Sequence, residues 1–100
     1  MVMMVSRRRL DDGDFDAWKR RFESGGAARK AAGCRGVRRF RGAEDPLELI
    51  VIFDWDTIEH AKAYVGMKVT ENPKLVSERE GGGGPKLANI FVDEMEPLDS

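Results

Sequence analysis

The clearest pattern along the chain is an alternation of apolar side chains over residues 47–55. Every second residue there is large and apolar, and these residues share one side of a predicted strand: Leu47, Leu49, Val51, Phe53 and Trp55. On the other side, Ile50 and Ile52 are also apolar, where a sheet with one face in water would carry polar residues. Both faces of this strand are therefore expected to be covered.

Three weaker patterns predict the remaining strands. Residues 2–6 form a short apolar run rich in Val and Met, which is typical of a strand buried on both faces. Residues 36–41 predict a second strand, and the turn of residues 42–46 connects it to the strand of residues 47–55. Residues 87–95 alternate well enough to predict the last strand.

Aromatic residues at helical spacing predict the first helix. They share one face, with charged residues between them: Phe15, Trp18 and Phe22. Asp14 is the expected N-cap, because its side chain can accept from a free backbone N–H of the first turn. The adjacent Gly25 and Gly26 weaken the helix by roughly 1 kcal/mol each relative to alanine. Residues 27–32 can resume it, and Gly33 is the expected C-cap.

The second helix is predicted to begin after Asp56 or Thr57, either of which can cap it. Its apolar stripe is expected to face the core: Ile58, Ala61 and Val65. A second group is expected on the opposite side: His60, Tyr64 and Met67. Asn72 followed by Pro73 predicts a further short helix, and residues 81–85 predict a loop.

The order of these elements is β, α, β, β, α, β, which predicts a ferredoxin-like α+β fold in a single domain over residues 1–100. In this fold a four-stranded antiparallel sheet carries its helices on one face. The helices of so short a chain cover only that face, so Ile50 and Ile52 on the other face need a second copy of the chain. The sequence therefore predicts a homodimer.

The composition narrows the range of partners and locations. The chain has 17 basic and 18 acidic residues and a net charge of −1, so neither nucleic acid nor a membrane surface is an expected partner. Cys34 is the only cysteine, and residues 1–5 are too few for a signal peptide or a membrane span, so the cytoplasm is the expected location. One His and one Cys predict no metal site.

His60 and Tyr64 are the candidate catalytic pair. His60 is the only histidine, and its ordinary pKa near neutrality would let it act as a general base toward a phenol or an enol. Tyr64 follows one helical turn later, within reach of the same ligand. The structural alternative is a solvent-exposed histidine on a helix, opposite the apolar stripe.

Aromatic side chains are the candidate substrate-binding residues. They occur on both the predicted helices and the predicted strands: Trp18, Phe22, Phe40, Phe53, Trp55 and Phe91. They can line a pocket for an aromatic ligand, or they can simply form the core. An inward-pointing arginine, for which Arg38 is the choice, would hold a substrate carboxylate or phenolate, although a solvated basic face explains the arginines equally well.

Several segments of the chain resemble a known superfamily. They span nearly the whole chain: residues 14–19, 28–33, 40–41, 45–46, 51–56, 61–64, 84–85 and 90–92. These segments resemble the dimeric α+β barrel superfamily and, within it, small bacterial proteins described as antibiotic biosynthesis monooxygenase-like or cyclase-like. The resemblance implies a ferredoxin-like protomer, a homodimer whose two sheets face each other, and one pocket per subunit between sheet and helices.

The resemblance also bears on cofactors. Haem-degrading members use an Asn on the first strand, a Trp near the end of the third strand and a His on the second helix. Trp55 has a similar location here, but the first strand has no Asn, and Tyr64 stands where the histidine is expected, with His60 one turn earlier. Cofactor-independent quinone-forming monooxygenases need only a pocket that stabilises a phenol anion. No cofactor is therefore expected.

The predicted function is binding of a small aromatic or polyketide-like molecule, with cofactor-independent oxygenation or cyclisation as the chemistry that the resemblance implies. The alternative is a non-catalytic homodimeric scaffold or ligand-binding domain. A cavity of about several hundred Å³ would favour the first, and a filled core would favour the second.

Overall fold

The computed structural model describes residues 1–71 and 89–98, and within these ranges strands and helices alternate along the chain. The elements are β1 (Val2–Arg9), α1 (Phe15–Ser24), α2 (Gly26–Ala32), β2 (Cys34–Arg41), β3 (Glu48–Trp55), α3 (Ile58–Glu71) and β4 (Asn89–Val92). The predicted short helix after Pro73 and the predicted loop of residues 81–85 lie outside the described residues.

The four strands form one antiparallel sheet in the order β2-β3-β1-β4, with β3 and β1 in the centre. The two central strands pair along their full length, from Val2 opposite Trp55 to Arg9 opposite Glu48. The helices α1 and α3 contribute Trp18, Phe22 and Ala61 to the same core as the sheet. The predicted ferredoxin-like α+β fold is confirmed.

The two faces of β3 differ as the alternation predicted. The helix-facing side chains are almost completely buried: Leu49, Val51, Phe53 and Trp55. On the opposite face, Ile52 is half-buried and Ile50 is 37% exposed. Phe40 and Ile90 lie on that face as well, because they pair with Ile50 on β3 and with Val5 on β1, and they are 50% and 58% exposed. We call this apolar surface the open face of the sheet.

Helix α1 has a capping residue at each end. The Asp14 side chain accepts a hydrogen bond of 3.0 Å from the Ala17 N–H, so Asp14 is the N-cap that was predicted. The helix ends at Gly25, whose N–H donates to the Phe22 carbonyl, and α2 starts directly afterwards. The predicted weakening at the glycine pair is therefore a complete break. Gly33 ends α2 in the left-handed region, with φ of 118°.

Helix α3 is capped by Thr57, whose hydroxyl accepts from the His60 N–H at 3.1 Å. The predicted apolar stripe is confirmed for Ala61, which is fully buried, and for Val65, which packs against the core. The placement of Tyr64 opposite the core is wrong, since its ring packs on Trp55 with centroids 5.5 Å apart. Tyr64 lies three residues after Ala61, and such pairs share a helix face.

Three strand boundaries differ from the prediction. β1 continues to Arg9, which pairs with Glu48 on β3, and the Arg7 side chain forms an ion pair with Glu48 across this pairing. β2 begins at Cys34, with an irregularity in its pairing between Cys34 and Gly36. β4 is described only from Asn89 to Val92, and residues 93–98 adopt no regular structure. No helix in the described part of the chain is both long and apolar enough to cross a membrane.

Candidate small-molecule site

A cavity of about 750 Å³ lies between the helix-facing side of the sheet and the three helices. Its wall extends along β3 from Leu49 to Trp55, a distance of roughly 20 Å at 3.3 Å per residue. Five aromatic side chains form much of this wall: Trp18, Phe22, Phe53, Trp55 and Tyr64. The protomer therefore has an elongated space of the size and character of a small-molecule site.

The aromatic rings of the wall are in contact with one another. Phe22 connects helix α1 to the sheet, with its centroid 5.2 Å from that of Trp18 and 5.8 Å from that of Phe53. The rings of Trp55 and Tyr64 form a second pair between β3 and α3. Such tilted pairs at 5–6 Å are favourable arrangements for aromatic quadrupoles, so the rings hold one another in place.

The indole N–H of Trp55 is a buried donor that lacks an acceptor. Trp55 is fully buried, and its Nε1 has no hydrogen-bond partner among the residues that the structure describes. An unpaired buried donor costs about 1–3 kcal/mol, and most native structures avoid it. Trp55 borders the cavity, but its Nε1 atom is itself out of reach of solvent, so the unpaired N–H is a cost that the fold carries.

Arginine side chains surround Phe22 and give this part of the site a positive charge. The guanidinium carbon of Arg29 lies 4.0 Å from the ring centroid, that of Arg39 5.5 Å and that of Arg8 5.9 Å. Arg39 is paired with Glu23 at 3.4 Å. Cation–π contacts of this kind fix the position of an arginine, so these charges have defined places beside the cavity.

The structure separates the two candidate catalytic residues. Tyr64 lines the cavity, whereas His60 does not, and the His60 side chain is 57% exposed. His60 Nδ1 instead forms a hydrogen bond of 2.9 Å with the carboxylate of Asp56. That hydrogen bond is the main reason why the pKa of Asp56 lies below its ordinary value. His60 therefore lies near the start of helix α3, outside the cavity wall, and its catalytic role stays a prediction.

Of the six candidate aromatic residues, four line the cavity and two do not. The wall includes Trp18, Phe22, Phe53 and Trp55. Phe91 lies on the helix-facing side and packs against the core, with the Lys62 amine 5.6 Å from its ring, but outside the cavity wall. Phe40 lies on the open face of the sheet.

The expectation that Arg38 points inward is wrong. Its guanidinium lies on the open face, 3.3 Å from the sulfur of Met3 and 3.9 Å from the Asp54 carboxylate. The reason is strand parity: Arg38 pairs with Ile52, whose side chain is on the outer side of β3, so Arg38 shares that side. Arg39, one residue later, faces the helices instead.

All five basic residues that line the cavity were missed as site residues: Arg8, Arg9, Arg21, Arg29 and Lys68. Arg8 and Arg29 are two whose spacing could have identified them. Arg8 follows Met4 and Ser6 at the strand period of two, and this spacing would have placed it on the helix-facing side of β1. Arg29 lies on α2, seven residues after Phe22, and this helical spacing would have placed it on the same helix face as Phe22.

Neither the Cys34 thiol nor a cluster of metal ligands within the described residues supplies a reactive group to this site. Burial raises the pKa of the Cys34 thiol, which therefore stays protonated at neutral pH, and the Sγ–H donates to the Gly36 carbonyl at 3.4 Å. Within residues 1–71 and 89–98, no group of three or more His, Cys, Asp or Glu side chains is placed to hold a metal ion.

Comparison with known proteins assigns the family. The family model for antibiotic biosynthesis monooxygenase, ABM, matches residues 1–69. The chain belongs to the ABM family. The family that the sequence resemblance implied is therefore confirmed. A comparison with curated proteins gives no significant match.

Solved structures of ABM-type proteins share the whole fold at low sequence identity. A structure described as antibiotic biosynthesis monooxygenase has 13% identity and a TM-score of 0.67, covering 96% of this chain and 100% of that one. Rv0793 from Mycobacterium tuberculosis has 16% identity and a TM-score of 0.66, covering 98% of each chain. The haem degrader MhuD from the same organism, with two haems bound, has 14% identity and a TM-score of 0.59, covering 98% and 99%. These likenesses show the fold.

Proposed function

We propose that this ABM-family chain binds a small aromatic or polyketide-like molecule in its cavity and oxygenates or cyclises it without a cofactor. The observation that carries the proposal is the cavity of about 750 Å³ with aromatic walls, a volume within the usual range of ligand sites. The family assignment supports the same reading. A domain that only dimerises through the open face of its sheet does not need an aromatic cavity on the opposite side.

The chemistry that fits this site starts from a phenol or enol. The substrate gives its phenolic or enolic proton to water at the cavity mouth, and basic side chains beside the cavity, such as Arg8 and Arg29, stabilise the resulting anion. The electron-rich anion then reacts with O₂. A ring CH₂ becomes a carbonyl, one oxygen atom enters the product, the other leaves as water, and the substrate supplies all four electrons. Tyr64 is the polar side chain we assign to orient the substrate oxygen.

The histidine that haem-degrading members of the superfamily use is not available in this cavity. MhuD is described with two haems in its active site. Histidine is a common axial ligand of haem iron, but the only histidine of this chain, His60, is exposed, bound to Asp56 and absent from the cavity wall. We therefore assign no step to haem.

We expect the wild-type protein to bind anthrone, and replacing Phe22 with alanine to weaken that binding about tenfold. Phe22 contacts both Trp18 and Phe53, so its loss breaks the continuous aromatic wall. Quenching of the Trp18 and Trp55 fluorescence measures the dissociation constant, and an oxygen electrode with anthrone measures turnover. His60→Ala is the matched control and should bind and turn over anthrone like the wild type, whereas Tyr64→Phe should slow turnover.

Three results would contradict the proposal. Failure of anthrone, naphthalene-1,4-diol and a tricyclic polyketide to quench the fluorescence would remove the ligand site. Binding without oxygen uptake or product formation would leave a ligand-binding domain and remove the enzyme. Hemin added to the protein should give only the absorbance of free hemin; a shifted and sharpened Soret band would favour a haem protein instead.

We also propose that residues 1–100 form one domain and that a second copy of the chain covers the open face of the sheet. Phe40, Ile50 and Ile90 expose 50%, 37% and 58% of their surface there, and a cluster of large apolar side chains is typical of an interface. A symmetric pair of sheets would bury this face on both copies at once.

The lone thiol of Cys34 favours the cytoplasm as the location of the protein.

At 10 µM, light scattering should give twice the protomer mass of 11.2 kDa. Ile50→Lys should shift the protein toward the monomer, since a charge in the centre of an apolar interface is costly to desolvate. Met67→Lys is the matched control, because Met67 is 44% exposed on helix α3, away from the open face. A wild-type protein that stays at the protomer mass at this concentration would overturn the dimer.

A further inference from the structure

The open face of the sheet carries an apolar band with charged side chains on both sides of it. The band crosses all four strands through residues at paired positions: Phe40, Ile50, Ile52, Val5 and Ile90. Arg38 and Asp54 lie on one side of the band, and Arg7 and Glu48 lie on the other. A second copy that covers the band therefore has to accommodate both groups of charges.

The two groups differ in how well they are paired within the protomer. Arg7 and Glu48 form a close ion pair. The Arg38 guanidinium is 3.9 Å from the Asp54 carboxylate, which is too far for a hydrogen bond, and its Nη2 donates instead to the Met3 sulfur at 3.3 Å, a weak acceptor. Within residues 1–71 and 89–98, neither Arg38 nor Asp54 forms another ion pair.

Covering the open face would change the cost of this loose pair. In the protomer the Arg38 and Asp54 side chains are 55% and 30% exposed, so water can satisfy them. A second copy seated on the apolar band removes much of that water, and a desolvated charge is costly unless it gains a hydrogen-bonded partner. Arg38 and Asp54 thus need a closer partner in a dimer, whereas Arg7 and Glu48 already have one.

The positions of Arg38 and Asp54 allow the two copies to satisfy each other. Arg38 pairs with Ile52, two residues before Asp54 on β3, so Arg38 and Asp54 are diagonal neighbours, roughly 7–8 Å apart. A two-fold axis that passes beside two such residues brings each of them next to the other residue of the partner, which makes the same contact twice. If this axis crosses the band, it lays the Phe40 end of one band over the Ile90 end of the other.

We infer that in the dimer the Arg38 guanidinium of each copy binds the partner's Asp54, and that these two exchanged ion pairs fix the orientation of the two sheets. The inference rests on the proposed dimer, whose apolar band supplies the contact area. The planar guanidinium matches the two oxygens of a carboxylate, so the contact has a defined geometry. Charge pairs of this kind select one arrangement of an interface because other arrangements place like charges together.

Charge reversal at the two positions tests the exchange. Arg38→Asp alone places two carboxylates at each contact, and Asp54→Arg alone places two arginines there, so each variant should raise the dissociation constant of its homodimer at least tenfold. An equimolar mixture of the two variants should form a heterodimer about as tight as the wild-type dimer, because each contact again joins one arginine and one carboxylate. Native mass spectrometry separates the three species, and analytical ultracentrifugation gives the dissociation constants.

Two controls make the mixture decisive. Arg20→Asp mixed with Asp16→Arg gives the same difference in net charge, but both residues are exposed on helix α1, so only the statistical proportion of heterodimer should form. An ionic strength of about 0.15 M screens such distant charges, since the screening length is then about 8 Å. Arg38→Asp and Asp54→Arg in one chain should restore the homodimer. Circular dichroism checks that every variant is folded.

The outcomes separate this inference from the proposed dimer. If neither single reversal weakens a dimeric protein, or if the double variant dimerises while the mixture does not, the exchanged pair is overturned and the dimer stands. An equal excess of heterodimer in the Arg20 and Asp16 control would also overturn it, because attraction between net charges would then explain the result. A wild-type protein that stays at the protomer mass removes both proposals together.

Discussion

Replacing Trp55 with alanine is expected to lower the free energy of unfolding by about 3–5 kcal/mol, the usual cost of removing a large aromatic side chain from a core. Trp55 is fully buried on the central strand β3 and packs on Tyr64. Because a domain of this size is stable by only about 5–15 kcal/mol, the loss should be visible as a large shift of the urea midpoint. Wild type and variant are compared at one protein concentration, since dimerisation would add to the stability of both.

Trp55→Phe separates the ring of Trp55 from its N–H. Phenylalanine keeps most of the packing and removes the unpaired buried donor, so the loss of stability should be less than half of that for alanine. Urea unfolding measures both variants, and a loss of stability in Trp55→Phe as large as that in Trp55→Ala would show that the N–H itself has a structural role.

The parts of the fold that sequence reasoning recovered are those that local patterns determine. The buried side of β3 follows from alternation, and the start of α1 follows from a capping aspartate three residues before the N–H that it binds. The open face was also predicted, because Ile50 and Ile52 are apolar at positions that would carry polar side chains if that face of the sheet were in water. These features need no knowledge of which strands are neighbours.

The orientation of Arg38 could not be predicted in the same way. Strand β2 has arginines at both parities, so its sequence does not show which side faces the helices. The pairing with β3 decides it, since Arg39 pairs with the buried Val51 and Arg38 with Ile52. A shift of one residue exchanges the two faces of a strand, and that register is a property of the folded sheet.

The location of the charged part of the site depended on a break in a helix. Helix α1 ends at Ser24 and α2 starts at Gly26. On α2, Arg29 lies over the ring of Phe22, which belongs to α1. Helix propensity assigns each of the two glycines a cost of about 1 kcal/mol, but it does not show that one helix ends and another begins there.

Gly33→Ala is expected to destabilise the protein by about 2–4 kcal/mol, which corresponds to a fall in melting temperature of roughly 10–20 °C. Gly33 has φ of 118°, a region that residues with a Cβ atom rarely adopt. A Cβ there would also lie 2.8 Å from Cγ and Oδ2 of Asp56. Asp56 cannot easily withdraw, because its N–H donates to the Gly33 carbonyl at 3.0 Å and its carboxylate holds His60.

Gly66→Ala is the matched control for this effect. Gly66 lies within helix α3 and has open space around it, so alanine should stabilise the protein by about 1 kcal/mol through helix propensity alone. Opposite signs for the two glycine-to-alanine changes would show that position decides the outcome. Thermal unfolding followed by circular dichroism measures both variants.

The double variant Gly33→Ala with Asp56→Ala divides the expected loss at Gly33 into its two causes. Removing the Asp56 carboxylate relieves the steric conflict and leaves the backbone strain, so stability should recover in part relative to Gly33→Ala alone. Asp56→Ala by itself should be destabilising, since its carboxylate accepts from the Thr57 N–H and binds His60 at the start of α3. The two substitutions are therefore expected to be less harmful together than the sum of their separate effects. Strict additivity would contradict the contact and leave the left-handed conformation of Gly33 as the only reason for glycine at this position.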